Sequence, residues 1–439
     1  MNTAALLHPR IETLPPRDLS ALQEEKWRRQ WDYVRTRSGF YREKLEGAVG
    51  SNLTLDAIRS LPLTDKEELR QAQENEPPFG NHLACHPDDI NRIHHTSGTT
   101  GRALIIANSR PDLEVIARLG ARGFYAAGLR PSDRVVHCLN YQMWMGGVTD
   151  HLSLEGTGAA VIPHGVGGTR RLIETIRHLG VTAISCTPSY PATLEQVLRD
   201  GFGLEPRALG LRLALFGGEA GLDSRIFRQT MEDKWGFAVR NANFGLSEVM
   251  SIIASQCEET DDLHYIAGDA VFAELLDPAS GERLDIEDGV SGELVCTHLE
   301  KTCQPLVRYR TRDVLTVTGA GPCRCGRTGF RFRVTGRTDD MFNVRGVNVF
   351  PTAIQKVVVD HPHLASGHFR IRLTGPGPYD RIELRVEASA ELPRERWNDA
   401  AKQLEHAIGA AIGASAIIEM LAFETLPRTE GKTSIIERG

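Results

Sequence analysis

No apolar run in this chain reaches the ~18 residues that a membrane-crossing helix needs. No long run of one charge sign occurs either. The 57 acidic and 51 basic residues leave a formal charge of −6, which argues against general nucleic-acid binding, since that needs a basic face. Residues 1–10 lack the charged-then-apolar order of a secretory signal. Cysteine is sparse: eight in 439 residues do not make a disulfide scaffold, and a cytosolic chain with reduced thiols is expected. Internal repeats and low-complexity linkers are absent. So is the G-x-x-x-x-G-K-[ST] loop of kinases and ATPases. What remains is a soluble globular composition, long enough for two or three domains and a sizeable core.

Within it stands Thr96-Ser97-Gly98-Thr99-Thr100-Gly101, followed by Arg102. Glycine permits backbone angles that gather N–H groups into an anion-binding concavity, and the hydroxyls add donors. This is one way to grip a polyphosphate; a plain polar turn is the other reading.

Residues 18–33 predict an amphipathic helix with Leu19, Leu22, Trp27 and Trp31 on one side, the tryptophans being core. From about 93 to 255, strand-like runs (134–139, 159–163, 183–187, 211–216) alternate with helical stretches such as 112–129 and 169–179. That alternation predicts parallel sheets covered by helices, with ligands at the strand carboxyl ends. The turns there are 140–147, 164–168, 187–190 and 216–219. From 270 to 335 shorter strands predict a small β subdomain. Residues 336–340 read as a hinge, and the rest as a small α+β lid with strands near 369–373, 382–386 and 416–421. The expected class is α/β, with an ATP- and acid-binding domain over 1–338 and a mobile lid over 339–439.

Five segments occur in an order that resembles the adenylate-forming enzymes. They are the Thr96–Gly101 stretch, Phe244-Gly245-Leu246-Ser247-Glu248, Tyr309-Arg310-Thr311-Arg312-Asp313, Gly336-Arg337-Thr338-Asp339-Asp340 and Gly431-Lys432. Phe40-Tyr41-Arg42-Glu43-Lys44-Leu45, Leu61-Pro62-Leu63-Thr64-Asp65-Lys66, residues 341–351 and Cys323-Arg324-Cys325-Gly326 point to the phenylacetate–CoA ligase branch.

The resemblance implies a reaction. A carboxylate joins the α-phosphate of ATP, pyrophosphate leaves, and the acyl-adenylate passes to the thiol of coenzyme A. Glu248 is then the Mg²⁺ carboxylate, and Ser247 a phosphate donor whose plain role is a helix N-cap. Asp313 accepts from the two ribose hydroxyls, a salt bridge to Arg310 or Arg312 being its other role. Arg337 supports ribose or phosphate. Gly217, Gly218 and Glu219 line adenine, with Asn243, Phe244 and Gly245 beside them. Lys432 is the catalytic cation, stabilising charge as the carboxylate meets phosphorus. Asp339 is the pivot that exchanges Lys432 for a second lid face carrying Arg345 and Gly346, past which the pantetheine arm runs.

The acid pocket implied by the resemblance is lined by Tyr141, Trp144, Gly146 and Gly147, with polar contacts from Gln142, His164 and Ser189. Those polar groups favour a 2-aminobenzoate-like acid, slightly ahead of phenylacetate or indoleacetate. Cys323, Cys325, Cys257 and His264 resemble a structural zinc set of some members of the branch; four unconnected core side chains are the alternative. The remaining cysteines, Cys85, Cys138, Cys186, Cys296 and Cys303, read as small hydrophobes. Arg102-Ala103 departs from a frequent Lys-Pro, and Phe244 from a frequent Tyr. A carrier protein in place of CoA is a second enzymatic reading. A zinc-ribbon nucleic-acid binder is a third, opposed by the net charge and the single C-x-C pair. The expected partners are small molecules, without nucleic acid or membrane, and a homodimer is left open.

Overall fold

The structure, a computed structural model, describes residues 6–46, 53–96, 103–219, 221–426 and 435–438. The chain divides into two compact units. The first comprises Met1–Gly218 and Phe237–Arg333, the second Glu219–Gly236 and Val334–Gly439.

A 12-stranded mixed sheet runs through the first unit. Its parallel part is the alternating region seen in the sequence. Ala160–Pro163, Arg134–His137, Ala183–Cys186, Leu213–Gly217 and Ala238–Leu246 lie side by side, with Val135 opposite Ala183 and Leu213 opposite Ala238. Val135, Ala183, Leu213 and Leu215 are buried with Phe124, Leu154 and Ile252 in one core, as near-continuous apolar strands covered by helices must be. The antiparallel part follows. Ala238–Leu246 turns into Met250–Gln256, and the short-strand region (Val271–Leu276, Ser291–His298, Tyr309–Gly319) extends the same sheet.

The central helix, Arg110–Ala126, starts where local chemistry dictates. Ser109 caps Asp112 N–H, Asp112 returns the bond to Ser109 N–H, and Pro111 sits in the first turn. Such a cap contributes about 1 kcal/mol. Glycines let this helix approach its neighbours closely: a Cβ on Gly120 would collide with Ser153. The helix Pro16–Arg37 buries Trp27 and Trp31, rings 5.5 Å apart, and Trp27 Nε1 donates to Leu53 O at 2.9 Å.

An antiparallel hairpin, Ile90–His95 with Ile105–Ser109, brackets the candidate phosphate loop.

In the second unit, a four-stranded sheet (order Ala416–Leu421, Ile382–Ala388, Ala365–Leu373, Ile436–Arg438) packs on Pro351–Val359 and Trp397–Ile412. The helix Arg225–Trp235 is counted with this unit, where its N-cap Ser224 bonds Asp360.

Candidate active site

Thr96 is buried and closes the mouth of its loop twice. Its N–H donates to Leu104 O at 3.0 Å, and its hydroxyl accepts from Leu104 N–H at 3.1 Å. Ser97, Gly98, Thr99, Thr100 and Gly101, with Arg102, lie outside the described residues. The returning strand is clamped by side chains that its own sequence does not announce. Gln73 accepts from Ile105 N–H at 2.9 Å and donates to Ile105 O at 2.7 Å, while Gln304 accepts from Ala107 N–H at 2.8 Å. On the other arm, His95 N–H donates to Met143 O at 3.0 Å, docking the hairpin against the 140–147 loop.

That loop is tightly folded. A Cβ on Gly147 would strike the Asn140 carbonyl, and one on Gly146 would strike the Trp144 ring, so both glycines are there for space. Tyr141 hydroxyl meets His151 Nδ1 at 3.0 Å, and its ring stands edge-on to His137 at 5.5 Å. Burial lifts the Tyr141 phenol above its ordinary range, so it stays protonated.

Two buried groups behind the loop carry no motif. His137 spans from Ser185 Oγ at 3.0 Å to the carbonyls of Gly147 and Gly146 at 3.1 and 3.3 Å; burial lowers its pKa to about 4, so it is a neutral spacer. Asp150 is fully buried and accepts from the Asn243 amide. Burial raises its carboxyl well above the usual range, and contacts with Ser251, Asn243 and Thr149 pull it back less.

Asn243 lies opposite Gly217 in the sheet, where a Gly217 Cβ would press on Asn243 Cβ. Gly218 has φ of 83° and faces the Trp144 ring, so the expected adenine turn and acid loop meet. Glu219 begins the second unit. His164 Nε2 contacts Gly167 O at 3.0 Å, and Ser189 Oγ contacts Thr187 Oγ1 at 3.3 Å.

Phe244 does not stand alone in the site; it packs edge-on against Phe332 at 5.5 Å. A Cβ on Gly245 would strike the Ser251 and Met250 carbonyls. Ser247 and Glu248 occupy the hairpin turn between Leu246 and Met250, so Ser247 does not cap a helix. The buried Glu248 carboxylate is paired with Lys66 Nζ at 2.5 Å, a partner the sequence reading missed. Lys66 stands at the start of the helix Lys66–Asn75, fixed by a capping box between Asp65 and Glu68. The same segment runs along the candidate ribose strand: Thr64 N–H donates to Arg308 O, and Arg310 N–H donates to Thr64 O at 2.8 Å. Asp313 is buried at the end of that motif. Arg310 is held by Glu293 at 3.0 and 2.5 Å, and Arg312 lies 4.0 Å from Asp65.

In the second unit, Arg337 grips Asp339 through two parallel bonds of 3.0 and 2.9 Å. Arg345 and Gly346 form the tip of the hairpin Phe342–Val344/Val347–Val349. Their φ values of 49° and 87° are those of a two-residue turn with both central residues left-handed, and Asn343 Oδ1 accepts from Gly346 N–H at 2.9 Å. Nothing lies within 4 Å of a Cβ placed on Gly346. Gly431 and Lys432 lie outside the described residues.

Cys257, His264, Cys323 and Cys325 come together, their ligand atoms all within 4.8 Å of one another. All are drawn to one place by the pairing of Arg331–Phe332 with Leu263–His264 and by the Cys323–Gly326 turn. His264 Nδ1 is buried without a hydrogen-bond partner. Burial lowers the His264 pKa, but its bonds to Cys323 and Cys325 outweigh that and raise it. Three thiols and an imidazole, buried and convergent, fit a structural zinc ion in number and donor chemistry.

Among the described residues no helix is long and apolar enough to cross a membrane.

The profile of the AMP-binding enzyme family matches residues 41–298, and that of the AMP-binding enzyme C-terminal domain matches 346–437. The chain is 34% identical to a phenylacetate–coenzyme A ligase of Thermus thermophilus, over 97% of each chain. It is 35% identical to another of Pseudomonas putida, over 98% of this chain and 95% of the relative. Among solved structures, a 2-hydroxyisobutyryl-CoA ligase in complex with its acyl-AMP superposes with a TM-score of 0.91 at 27% identity, covering 100% of this chain and 93% of that one. An anthranilate CoA ligase superposes at 0.59 with 19% identity over 84% of this chain and 75% of its own, a likeness of fold alone.

Proposed function

Because this chain belongs to the AMP-binding enzyme family, in the phenylacetate–CoA ligase-like branch of the adenylate-forming enzymes, and is therefore an AMP-forming acid–thiol ligase, we propose that its acid is an arylacetate of the phenylacetate class. The observation that carries this is the near full-length similarity, at 31–35% identity, to four ligases named for phenylacetate. The 2-aminobenzoate-like acid favoured by the sequence has less support, resting on polar pocket residues and a shared fold.

In the first half-reaction the carboxylate attacks the α-phosphorus of ATP and pyrophosphate leaves. Thr96 and its loop hold the phosphates, Asp313 and Arg337 hold the ribose, and the purine lies by Gly217, Gly218, Glu219, Asn243, Phe244 and Gly245. Glu248 and Ser247 would hold Mg²⁺ and a phosphate oxygen, with Lys66 sharing the Glu248 carboxylate. The metal supplies charge neutralisation on the departing pyrophosphate. Lys432 stabilises charge where carboxylate and phosphate meet. The aryl group sits among Tyr141, Trp144, Gly146, Gly147, His164 and Ser189. His137 and Asp150 fix that loop and Asn243 from behind.

In the second half-reaction the CoA thiol attacks the acyl carbonyl and AMP leaves. Residues 339–439 act as the lid, pivoting at Asp339, with Arg345 and Gly346 flanking the pantetheine arm. The Arg337–Asp339 clasp belongs to that pivot. Cys257, His264, Cys323 and Cys325 would hold zinc as a structural brace.

The test is AMP release from a panel of acids, with and without CoA. Phenylacetate should give the highest kcat/KM, with AMP release dependent on CoA. Preference for 2-aminobenzoate would overturn the acid assignment, and turnover with a phosphopantetheinyl carrier but not CoA would overturn the acceptor.

A further inference from the structure

Outside the site, Cys85 and Cys303 stand apart from the other thiols. They are 218 positions apart in the chain, yet their Sγ atoms lie 2.6 Å from each other. Cys303 is fully buried, while Cys85 is partly open to solvent. The backbones on both sides are tied together. Ala84 N–H donates to Cys303 O at 2.7 Å, and the Tyr33 hydroxyl reaches Ala84 O and Thr302 O at 3.2 and 3.1 Å. Asp112 holds the other side, accepting from Thr302 N–H at 2.7 Å and Cys303 N–H at 3.0 Å. This scaffold keeps the two backbones, and so the two thiols, within reach of one another.

We propose that Cys85 and Cys303 form a reversible redox site, closed to an intramolecular disulfide by a peroxide. The partly exposed Cys85 thiolate attacks a peroxide oxygen, giving the sulfenic acid and releasing water or an alcohol. Cys303 sulfur then attacks the Cys85 sulfur, and the hydroxyl leaves with the Cys303 proton as water. Two thiols and one hydrogen peroxide become one disulfide and two waters. Exposure favours this order, because a peroxide reaches the partly open Cys85 before the fully buried Cys303.

The site is placed where a cross-link has structural effect. Gln304, next to Cys303, holds Ala107 N–H in the strand that returns from the Thr96 loop, so the bond would staple residues 84–85 to the turn anchoring that strand. Closing so long a loop restricts the unfolded chain strongly. Cys138, Cys186 and Cys296 are buried, and burial raises the thiol pKa of Cys138 and Cys296, so they should not compete.

The test is stoichiometric hydrogen peroxide on the reduced full-length protein, alkylation of remaining thiols, and peptide mass mapping. A linked Cys85–Cys303 peptide, lost on dithiothreitol treatment, is the expected product, together with a higher unfolding temperature. Cys85→Ser should abolish both, and it keeps the test open if Cys303→Ser does not fold. Oxidation of Cys85 to the sulfinic acid without linkage, or a linkage confined to Cys257, Cys323 and Cys325, would overturn the proposal.

Discussion

Asp150→Asn isolates a physical feature of the site that the motifs do not carry. Asp150 is fully buried, its pKa is raised well above 3.8 by burial, and its partner Asn243 lies opposite the Gly217 turn. The folded protein therefore holds a proton on Asp150 that the unfolded chain releases as pH rises above the ordinary carboxylate value. The folded state binds more protons than the unfolded one in that window, so this group lowers stability as pH rises, until the folded-state pKa is passed. The slope is about 1.4 kcal/mol per pH unit for one such proton. An asparagine has nearly the same shape, and its carbonyl can still accept from Asn243, so the hydrogen bond survives while the titration disappears. Urea unfolding of the two proteins should thus diverge with rising pH above the ordinary carboxylate range, the variant gaining by roughly 1.4 kcal/mol per unit. Asp150→Leu serves as the contrast. It leaves the Asn243 amide unpaired at a cost of about 1–3 kcal/mol, and should raise KM for ATP if Asn243 borders adenine. Parallel stability–pH curves for the parent and Asp150→Asn would refute the argument, because they would mean that Asp150 is ionised when folded.

Lys432→Ala should slow adenylation by on the order of 10²–10³ while sparing thioester formation from preformed acyl-adenylate; equal losses in both halves would remove its assigned role. Asp313→Ala should raise KM for ATP, and unchanged ATP dependence would make it a structural carboxylate only. Chelator-washed protein should retain about one zinc per chain, as a four-ligand structural site implies, and Cys325→Ser should lower both zinc content and unfolding temperature; metal-free protein of unchanged stability would leave the four side chains as separate core residues. Gly346→Trp should depress acyl–CoA output with acyl-AMP accumulating, whereas Gly346→Asn, which tolerates positive φ, should keep the hairpin turn and most of the output; full output from the tryptophan variant would place the pantetheine arm elsewhere.

Local rules made much of this protein legible before folding. The helical stretch read over 112–129 is the helix Arg110–Ala126, begun earlier by the Ser109–Asp112 capping box, and alternating apolar runs mark the parallel strands because a covered strand must be apolar on both faces. Glycines at 146, 147, 217 and 245 are required by close approach, which a motif preserves as residue identity. The resemblance to a zinc set of the branch likewise anticipated the convergence of Cys257, His264, Cys323 and Cys325. What the chain order could not reveal is which distant polar groups meet. Lys66 belongs to a recognisable phrase, yet nothing in it says that its ammonium pairs with Glu248. His137 and Asp150 sit in ordinary apolar stretches, and their burial, altered protonation and grip on Gly147 and Asn243 exist only once strands and helices pack. Cys85 and Cys303 read as small hydrophobes, and only the scaffold of Asp112 and Tyr33 turns them into a pair. Periodicity, caps and turns act over a few residues and leave a pattern in sequence; a charge pair, a shared proton or a thiol contact depends on positions far apart in the chain, and those are decided by tertiary packing.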